Sequence, residues 1–202
     1  MNDLSPQAWN ERYQSSDTPW DLGGPTPELI HLLKDGTVFP PRSSVLVPGA
    51  GRGHDAVELA KAGHQVHVVE FAPVAFRQLL ELSFQEKVDL QAFRLNFFDL
   101  LPGGGYHKQF YDAIFEYTFF CAIDPKLRVQ YMEHVHGLLR PGGVLVGIFF
   151  PTASDKAGPP FLVNEKEIHD LFSPRFEVSI GKTSKSVNPR EGREFLAIIR
   201  KK

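Results

Sequence analysis

The stretch Ser44–Glu70, SVLVPGAGRGHDAVELAKAGHQVHVVE, decides the fold of this chain. Val45, Leu46 and Val47 form a short apolar run that reads as a buried strand, and Pro48 ends it. Gly49, Gly51 and Gly53 alternate through the turn that follows. A helical pattern comes next, apolar at Val57, Leu59, Ala60 and Ala62, with Gly63 placed as its stop. A second apolar run, Val66 to Val69, closes on Glu70. Strand, helix and strand make a β-α-β unit, and the chemistry of such a unit sits at the carboxyl ends of its strands.

The glycines and the glutamate have physical reasons. A turn that leaves a strand and enters a helix at once calls for positive φ, which glycine tolerates. A position without a side chain also lets a ligand lie against the backbone. Glu70 stands 17 residues after Gly53, and a carboxylate at the end of the second strand accepts hydrogen bonds from both hydroxyls of a ribose. The stretch therefore reads as a nucleoside site. A dinucleotide fold asks for G-x-G-x-x-G, and here the third glycine position is His54. What stands instead is G-x-G-x-G, which resembles the first motif of Rossmann-like S-adenosylmethionine (SAM) methyltransferases.

Composition sets the bounds. A chain of 202 residues with 42% hydrophobic content suits one domain with a real core. A net charge of -2 supplies no global field for nucleic acid. The lone cysteine, Cys121, excludes an internal disulfide and suits a reducing compartment. The segment MNDLSPQAW is polar and does not read as a signal peptide, and no apolar run approaches the roughly 20 residues of a membrane span. The expectation is a cytoplasmic protein acting on a small molecule. It involves neither nucleic acid nor membrane, and nothing points to an obligate protein partner.

Residues 1–41 form an aromatic arm ahead of the core. Ser5-Pro6 is a helix start, and Trp9 and Tyr13 fall at i, i+4 on one face. The segment from Asp17 to Pro27 is too rich in proline and glycine for regular structure, yet it holds Trp20. A short helix follows at about Pro27 to Lys34. Trp9, Tyr13 and Trp20 either anchor the arm to the core or close over a ligand as a lid, and both readings can hold together. Aromatic faces attract a cation such as a sulfonium by roughly 0.5–2 kcal/mol per contact.

The run from Trp9 to Leu29, with WNERYQ, TPWD and the prolines at 25 and 27, resembles the N-terminal segment of the thiopurine methyltransferase family. The branch it most resembles is the thiol and halide methyltransferases, and the resemblance spans nearly the whole chain. It implies that Trp9, Tyr13 and Trp20 help hold SAM. It also implies a class I α/β fold: a seven-stranded, mostly parallel sheet with helices on both faces and strand order 3-2-1-4-5-7-6.

The remaining segments fit this frame. A helix is expected from Phe71 to about Phe84 and a strand from Val88 to Leu95. In SAM enzymes a polar and an apolar residue at the end of that strand hold the adenine, which puts Asn96 and Phe97 on the cofactor. The loop Leu101–Phe110 carries Gly103–Gly105 without the lysine-serine pair of a phosphate loop. Tyr111 to Glu116 reads as the fourth strand, and EYTFFCAI after it resembles the thiol and halide branch. Thiopurine-type members have arginine at the place of Tyr117, so tyrosine here leans towards a small, soft nucleophile. Asp124-Pro125 starts a long helix to Leu139, and LLRPGG then turns into a strand from Val144 to Phe150. His134 and His136 lie two apart, which does not put both on one helix face for a metal. His54 reads as a polar residue at a helix start. The loop Pro151–Val163 resembles one that covers the active site in the thiol and halide branch. Asn164 caps a helix to about Phe172. Two strands, Phe176–Ile180 and Phe195–Ile199, make a closing antiparallel hairpin, and the Lys182–Arg193 connection reads as a solvated turn.

The expected activity is methyl transfer from SAM, released as S-adenosylhomocysteine, to a thiol, hydrosulfide, halide or thiopurine sulfur. An in-line displacement at the methyl carbon needs mainly a nucleophile held about 3–3.5 Å away. Tyr117 is the candidate that shapes the acceptor site, with Asp21 as a second candidate catalytic residue and Glu116 beside the cofactor. A SAM-binding regulatory module without turnover fits the same glycines, Glu70 and aromatic arm, and methyl transfer to another small molecule stays open. A nucleic-acid methyltransferase would show an N/D-P-P-Y/F tetrapeptide where this chain reads EYTF.

Overall fold

The computed structural model describes residues 3–100, 107–150, 158–188 and 190–202. The expected glycine loop at 103–105 and the first half of the loop 151–163 therefore lie outside the described residues. The strands are β1 (Ser44–Pro48), β2 (Gln65–Val69), β3 (Leu90–Phe93), β4 (Tyr111–Tyr117), β5 (Leu139–Phe149), β6 (Phe176–Lys182) and β7 (Phe195–Lys201). The helices are α1 (Pro6–Gln14), α2 (Pro27–Asp35), α3 (His54–Lys61), α4 (Pro73–Gln85), α5 (Arg128–Leu138) and α6 (Glu165–Phe172).

The strands form one sheet in the order β3-β2-β1-β4-β5-β7-β6. All neighbours are parallel except β7, which runs antiparallel to both β5 and β6. Alternation along β1 shows how the layers assemble. Val45 and Val47 join Leu29 and Leu32 of α2, Ala56 and Leu59 of α3 and Leu79 of α4 on one face. Leu46 points the other way, into a cluster with Tyr131 and Val135 of α5 and Ile168 and Phe172 of α6. A strand covered by helices on both sides is apolar at every position, and all five residues of β1 are buried.

Four boundaries depart from the sequence expectation, two through local proline chemistry and two through strand pairing. The helix expected from Phe71 begins at Pro73, because the residue before a proline is held extended; Ala72 has ψ 117. The strand expected over Val88–Leu95 pairs only over Leu90–Phe93, opposite Val66–Val69, so its ladder ends where β2 ends. Asp124-Pro125 opens a 3-10 turn, Pro125–Leu127, before α5 starts at Arg128. The last strand before the hairpin starts at Leu139 rather than Val144. Leu139 already pairs with Tyr111, and the register shifts between Tyr111 and Ala113, so the RPGG segment is an irregularity inside β5.

Helix starts follow their caps. Ser5 accepts from Ala8 N at 3.2 Å, and Asn164 accepts from Glu167 N at 2.9 Å. The arm docks through α1 onto α4: Asn10 Oδ1 accepts from Val74 N at 2.9 Å, and Tyr13, Ala72 and Ala75 form a small buried cluster edged by Trp9 and Trp20. No helix among the described residues is long and apolar enough to cross a membrane.

Candidate active site

The strand order reverses between β1 and β4, and ligands of open α/β sheets bind in the crevice above such a switch point. A cavity of about 450 Å3 opens there. It is walled by the arm, the turn after β1, the ends of β2 and β3, the segment after β4, and Arg190 from the β6–β7 connection.

The turn after β1 takes the backbone its glycines permit. Gly49, Gly51 and Gly53 have φ of 57°, 56° and 86°. The space over them belongs to protein rather than to ligand alone. A Cβ on Gly49 would strike the Phe119 ring, one on Gly53 would sit 2.7 Å from Leu79 Cγ, and one on Gly51 would lie 3.1 Å from the Tyr13 hydroxyl. The glycines thus let α4, the arm and the segment after β4 close on one turn.

Glu70 is 3% exposed and lies on the cavity wall. Its Oε2 accepts from Gly51 N and its Oε1 from Ala72 N, both at 2.8 Å. Burial pushes its pKa up to about 7, against the lowering effect of these backbone donors. A carboxylate has about four acceptor positions, so the backbone donors do not exhaust it and a ligand can still be held. Asn96 and Phe97 both line the cavity. Asn96 spends its Oδ1 on Phe98 N at 3.1 Å, while Phe97 is 2% exposed and packs on Phe98, Phe119 and Tyr131.

The three arm aromatics come together. Trp9 and Trp20 meet edge-on at 5.2 Å, Tyr13 and Trp20 at 5.8 Å, and all three line the cavity. The Arg12 guanidinium lies 4.3 Å over the Trp20 ring, so one aromatic face already carries a cation. Burial raises the pKa of the Tyr13 phenol, with the Glu70 charge acting the same way.

Asp21, the second candidate catalytic residue, lines the cavity with both carboxylate oxygens engaged. Its Oδ2 pairs with Arg52 at 2.7 Å and its Oδ1 accepts from Gly23 N at 2.8 Å, which clasps the arm to the glycine turn. His54, the first residue of α3, lines the cavity with Nε2 3.8 Å from Asp21 Oδ1. A second clasp joins Asp55 to Thr26, through the backbone N at 2.6 Å and the hydroxyl at 2.9 Å. Glu116, expected beside the cofactor, is not among the cavity-lining residues. It is fully buried, and its Oε2 accepts from Phe119 N and Phe120 N at 3.0 and 3.2 Å.

Tyr117 lines the cavity as expected, but its hydroxyl is already committed. It donates to Glu194 Oε1 at 2.8 Å and accepts from Arg190 Nη1. Burial raises the phenol's pKa, against the pull of the Arg190 charge. A neutral phenol that already gives its proton to a carboxylate is no proton acceptor. Arg190 is the residue that sequence reasoning missed, since the 182–193 connection read as a solvated turn. Its Nη2 donates to Pro19 O at 2.9 Å, its side chain is 12% exposed, and Glu194 stands 3.9 Å away. Tyr117 and Arg190 lie 73 positions apart, and no spacing rule links a turn arginine to a strand end. Among the described residues no cluster of three or more His, Cys, Asp or Glu could hold a metal ion.

A family model described as thiopurine S-methyltransferase matches residues 4–200. The chain belongs to the thiopurine S-methyltransferase family. Among the relatives of this family member, a probable thiol methyltransferase 2 of Arabidopsis thaliana is 33% identical over 97% of this chain and 85% of that protein. A thiocyanate methyltransferase 1 of Brassica oleracea is 31% identical over 93% of this chain and 82% of its own. A crystal structure of the Burkholderia thailandensis 1,6-didemethyltoxoflavin-N1-methyltransferase, with bound substrate and S-adenosylhomocysteine, superposes with a TM-score of 0.74 at 19% identity, covering 98% of this chain and 87% of that one. The fold is that of a class I methyltransferase, the enzyme is SAM-dependent, and SAM is its cofactor. The cavity fits that group. A buried carboxylate with open acceptor positions stands across the glycine turn from three aromatic rings, and an apolar ring, Phe97, adjoins a polar residue, Asn96.

Proposed function

We propose that this methyltransferase acts on a small, soft nucleophile: a thiol or hydrosulfide, a halide, or the sulfur of a thiopurine. The observation that carries the reading is the Tyr117–Arg190 pair on the wall of the cavity that also holds the glycine turn and Glu70. Arg190 is fixed by the Tyr117 hydroxyl, the Pro19 carbonyl and the nearby Glu194 carboxylate, so it offers a preorganised positive edge. Phe97, Phe98, Phe119 and Ile123 supply apolar surroundings. Such a lining strips water from a polarisable anion at low cost and serves an extended polar acceptor poorly.

The residues divide the work. When bound, SAM supplies an electrophilic methyl group on a sulfonium sulfur. Glu70 would take the ribose hydroxyls, Asn96 and Phe97 the adenine, and Trp9, Tyr13 and Trp20 would shield the cofactor beneath the arm. We read residues 1–202 as one domain in which the arm, residues 1–41, serves as a lid on the core, residues 42–202. With Tyr117 and Asp21 both committed to other partners, the acceptor supplies its own negative charge. A thiol near pKa 8.5 is a few per cent thiolate at pH 7. A cytoplasmic, reducing setting suits Cys121, a free thiol on the cavity wall. The net charge of -2 supports small-molecule rather than nucleic-acid acceptors.

The test is product analysis after incubation with SAM and, separately, iodide, hydrosulfide, thiocyanate and 6-mercaptopurine. Methylated product from at least one small anion is expected. SAM binding without turnover on any of them would favour a cofactor-binding module.

A further inference from the structure

Glu116 neither lines the cavity nor reaches the surface, yet the segment after it makes most of one cavity wall. Tyr117, Thr118, Phe119, Cys121, Ala122 and Ile123 all line it. The backbone there is held in an unusual shape. Thr118 has φ 61°, a left-handed conformation that costs a β-branched residue more than most. The Glu116 carboxylate bridges this residue by accepting from Phe119 N and Phe120 N. The Thr118 carbonyl in turn receives the Cys121 thiol at 3.3 Å, and the Cys121 carbonyl receives Phe161 N at 2.7 Å, next to Pro159 and Pro160 of the cavity wall. Phe119 itself fills the space over Gly49. One carboxylate thus stands at the root of a chain of contacts reaching both sides of the acceptor space.

We propose that Glu116 is a positioning residue: by holding Phe119 N and Phe120 N it fixes the left-handed turn at Thr118 and so sets the wall against which the acceptor is placed. This rests on the reading of the cavity as the site of methyl transfer. A further observation agrees with it. Glu116 Oε1 and the Tyr131 hydroxyl are buried with no hydrogen-bond partner among the described residues. Burying a carboxylate in that state is costly, and burial pushes its pKa up to about 7. A group kept at such expense is kept for what its other oxygen holds.

The single cysteine of the chain gives a readout that does not need turnover. Cys121 is 6% exposed on the cavity wall, and burial, aided by the Glu116 charge, pushes its pKa up to about 12, so its reaction with a thiol reagent is slow and speeds up as the turn loosens. Glu116→Gln keeps the size and one accepting oxygen; Glu116→Ala removes the hold. With iodoacetamide and excess reagent, Glu116→Ala should label about tenfold faster or more than wild type, while Glu116→Gln stays within about threefold. In steady state Glu116→Ala should raise the acceptor KM by about tenfold or more and leave SAM affinity within about threefold. If Glu116→Ala does not fold, Glu116→Asp, one methylene too short, carries both measurements. Unchanged labelling in the folded variant, or SAM and acceptor affinities falling together, would overturn the proposal. A wild type without turnover on any acceptor would remove the methyl-transfer reading alone, because the labelling still reports on the turn.

Discussion

Glu70 holds two backbone N–H groups and still faces the cavity, so its protonation governs how it holds a ligand. In the folded chain its pKa is raised from 4.5 to about 7. Its contribution to stability, read as the difference between wild type and Glu70→Gln, is therefore present at low pH and lost as pH rises through about 7. Ligand binding runs the opposite way. Ribose hydroxyls donate to the ionised carboxylate, so SAM affinity is expected to rise between about pH 6 and pH 8 as the proton leaves. Calorimetry at the two pH values checks this, and a slope that survives in Glu70→Gln would contradict it. Glu70→Ala should weaken SAM binding by about 1.5–3 kcal/mol. At Tyr117, the bonds to Glu194 and Arg190 imply that the hydroxyl orients the guanidinium and takes no proton. Tyr117→Phe should then slow thiol and iodide methylation by similar factors, and a loss confined to thiols would show instead that the hydroxyl takes a proton from the acceptor. At saturating SAM, kcat/KM for a thiol acceptor should climb about tenfold per pH unit below the thiol's own pKa, while that for iodide stays flat.

The arm is tied to the core at several points, each a different chemistry: Asn10 to Val74, Asp21 to Arg52, Thr26 to Asp55, and Arg190 to the Pro19 carbonyl. Both tryptophans of the chain, Trp9 and Trp20, lie in it, so intrinsic fluorescence reports on the arm alone. SAM is expected to shift or quench that fluorescence and to protect residues 5–25 from protease. Arg52→Ala should raise the protease sensitivity of the same residues without SAM, and an arm equally protected with and without cofactor would make it a fixed anchor. The helix start at Ser5-Pro6 and the crowding of Trp9, Tyr13 and Trp20 were legible because caps and i, i+4 spacing are local properties. The clasps were not, because each joins residues 29 or more positions apart or links a loop to a turn. The same division holds in the core. The β-α-β unit at Ser44–Glu70 could be read from periodicity, whereas the strand order came from family resemblance. The RPGG irregularity in β5 depends on pairing with Tyr111, which no local pattern encodes.

The sheet reversal between β1 and β4 brings the two halves of the reaction into one cavity. We read the donor half as resting on β1, β2 and the arm, and its candidate residues were legible in sequence because glycines and a strand-end acid carry a recognisable spacing. The acceptor half is made by the segment after β4 and by Arg190, from opposite ends of the second half of the chain. Sequence gave Tyr117 there and hid the arginine that its hydroxyl holds. Arginine standing at the strand end suits an extended anionic acceptor; here the guanidinium packs against Tyr117, Phe150 and the Pro19 carbonyl instead. Arg190→Ala should accordingly raise the KM for thiocyanate and hydrosulfide by about tenfold, with less effect on SAM affinity. The most direct measurement is kcat/KM with SAM for hydrosulfide, thiocyanate and iodide against 6-mercaptopurine under one set of conditions. A higher value for at least one of the three small anions is expected, and a clear preference for the thiopurine would contradict the small-nucleophile site.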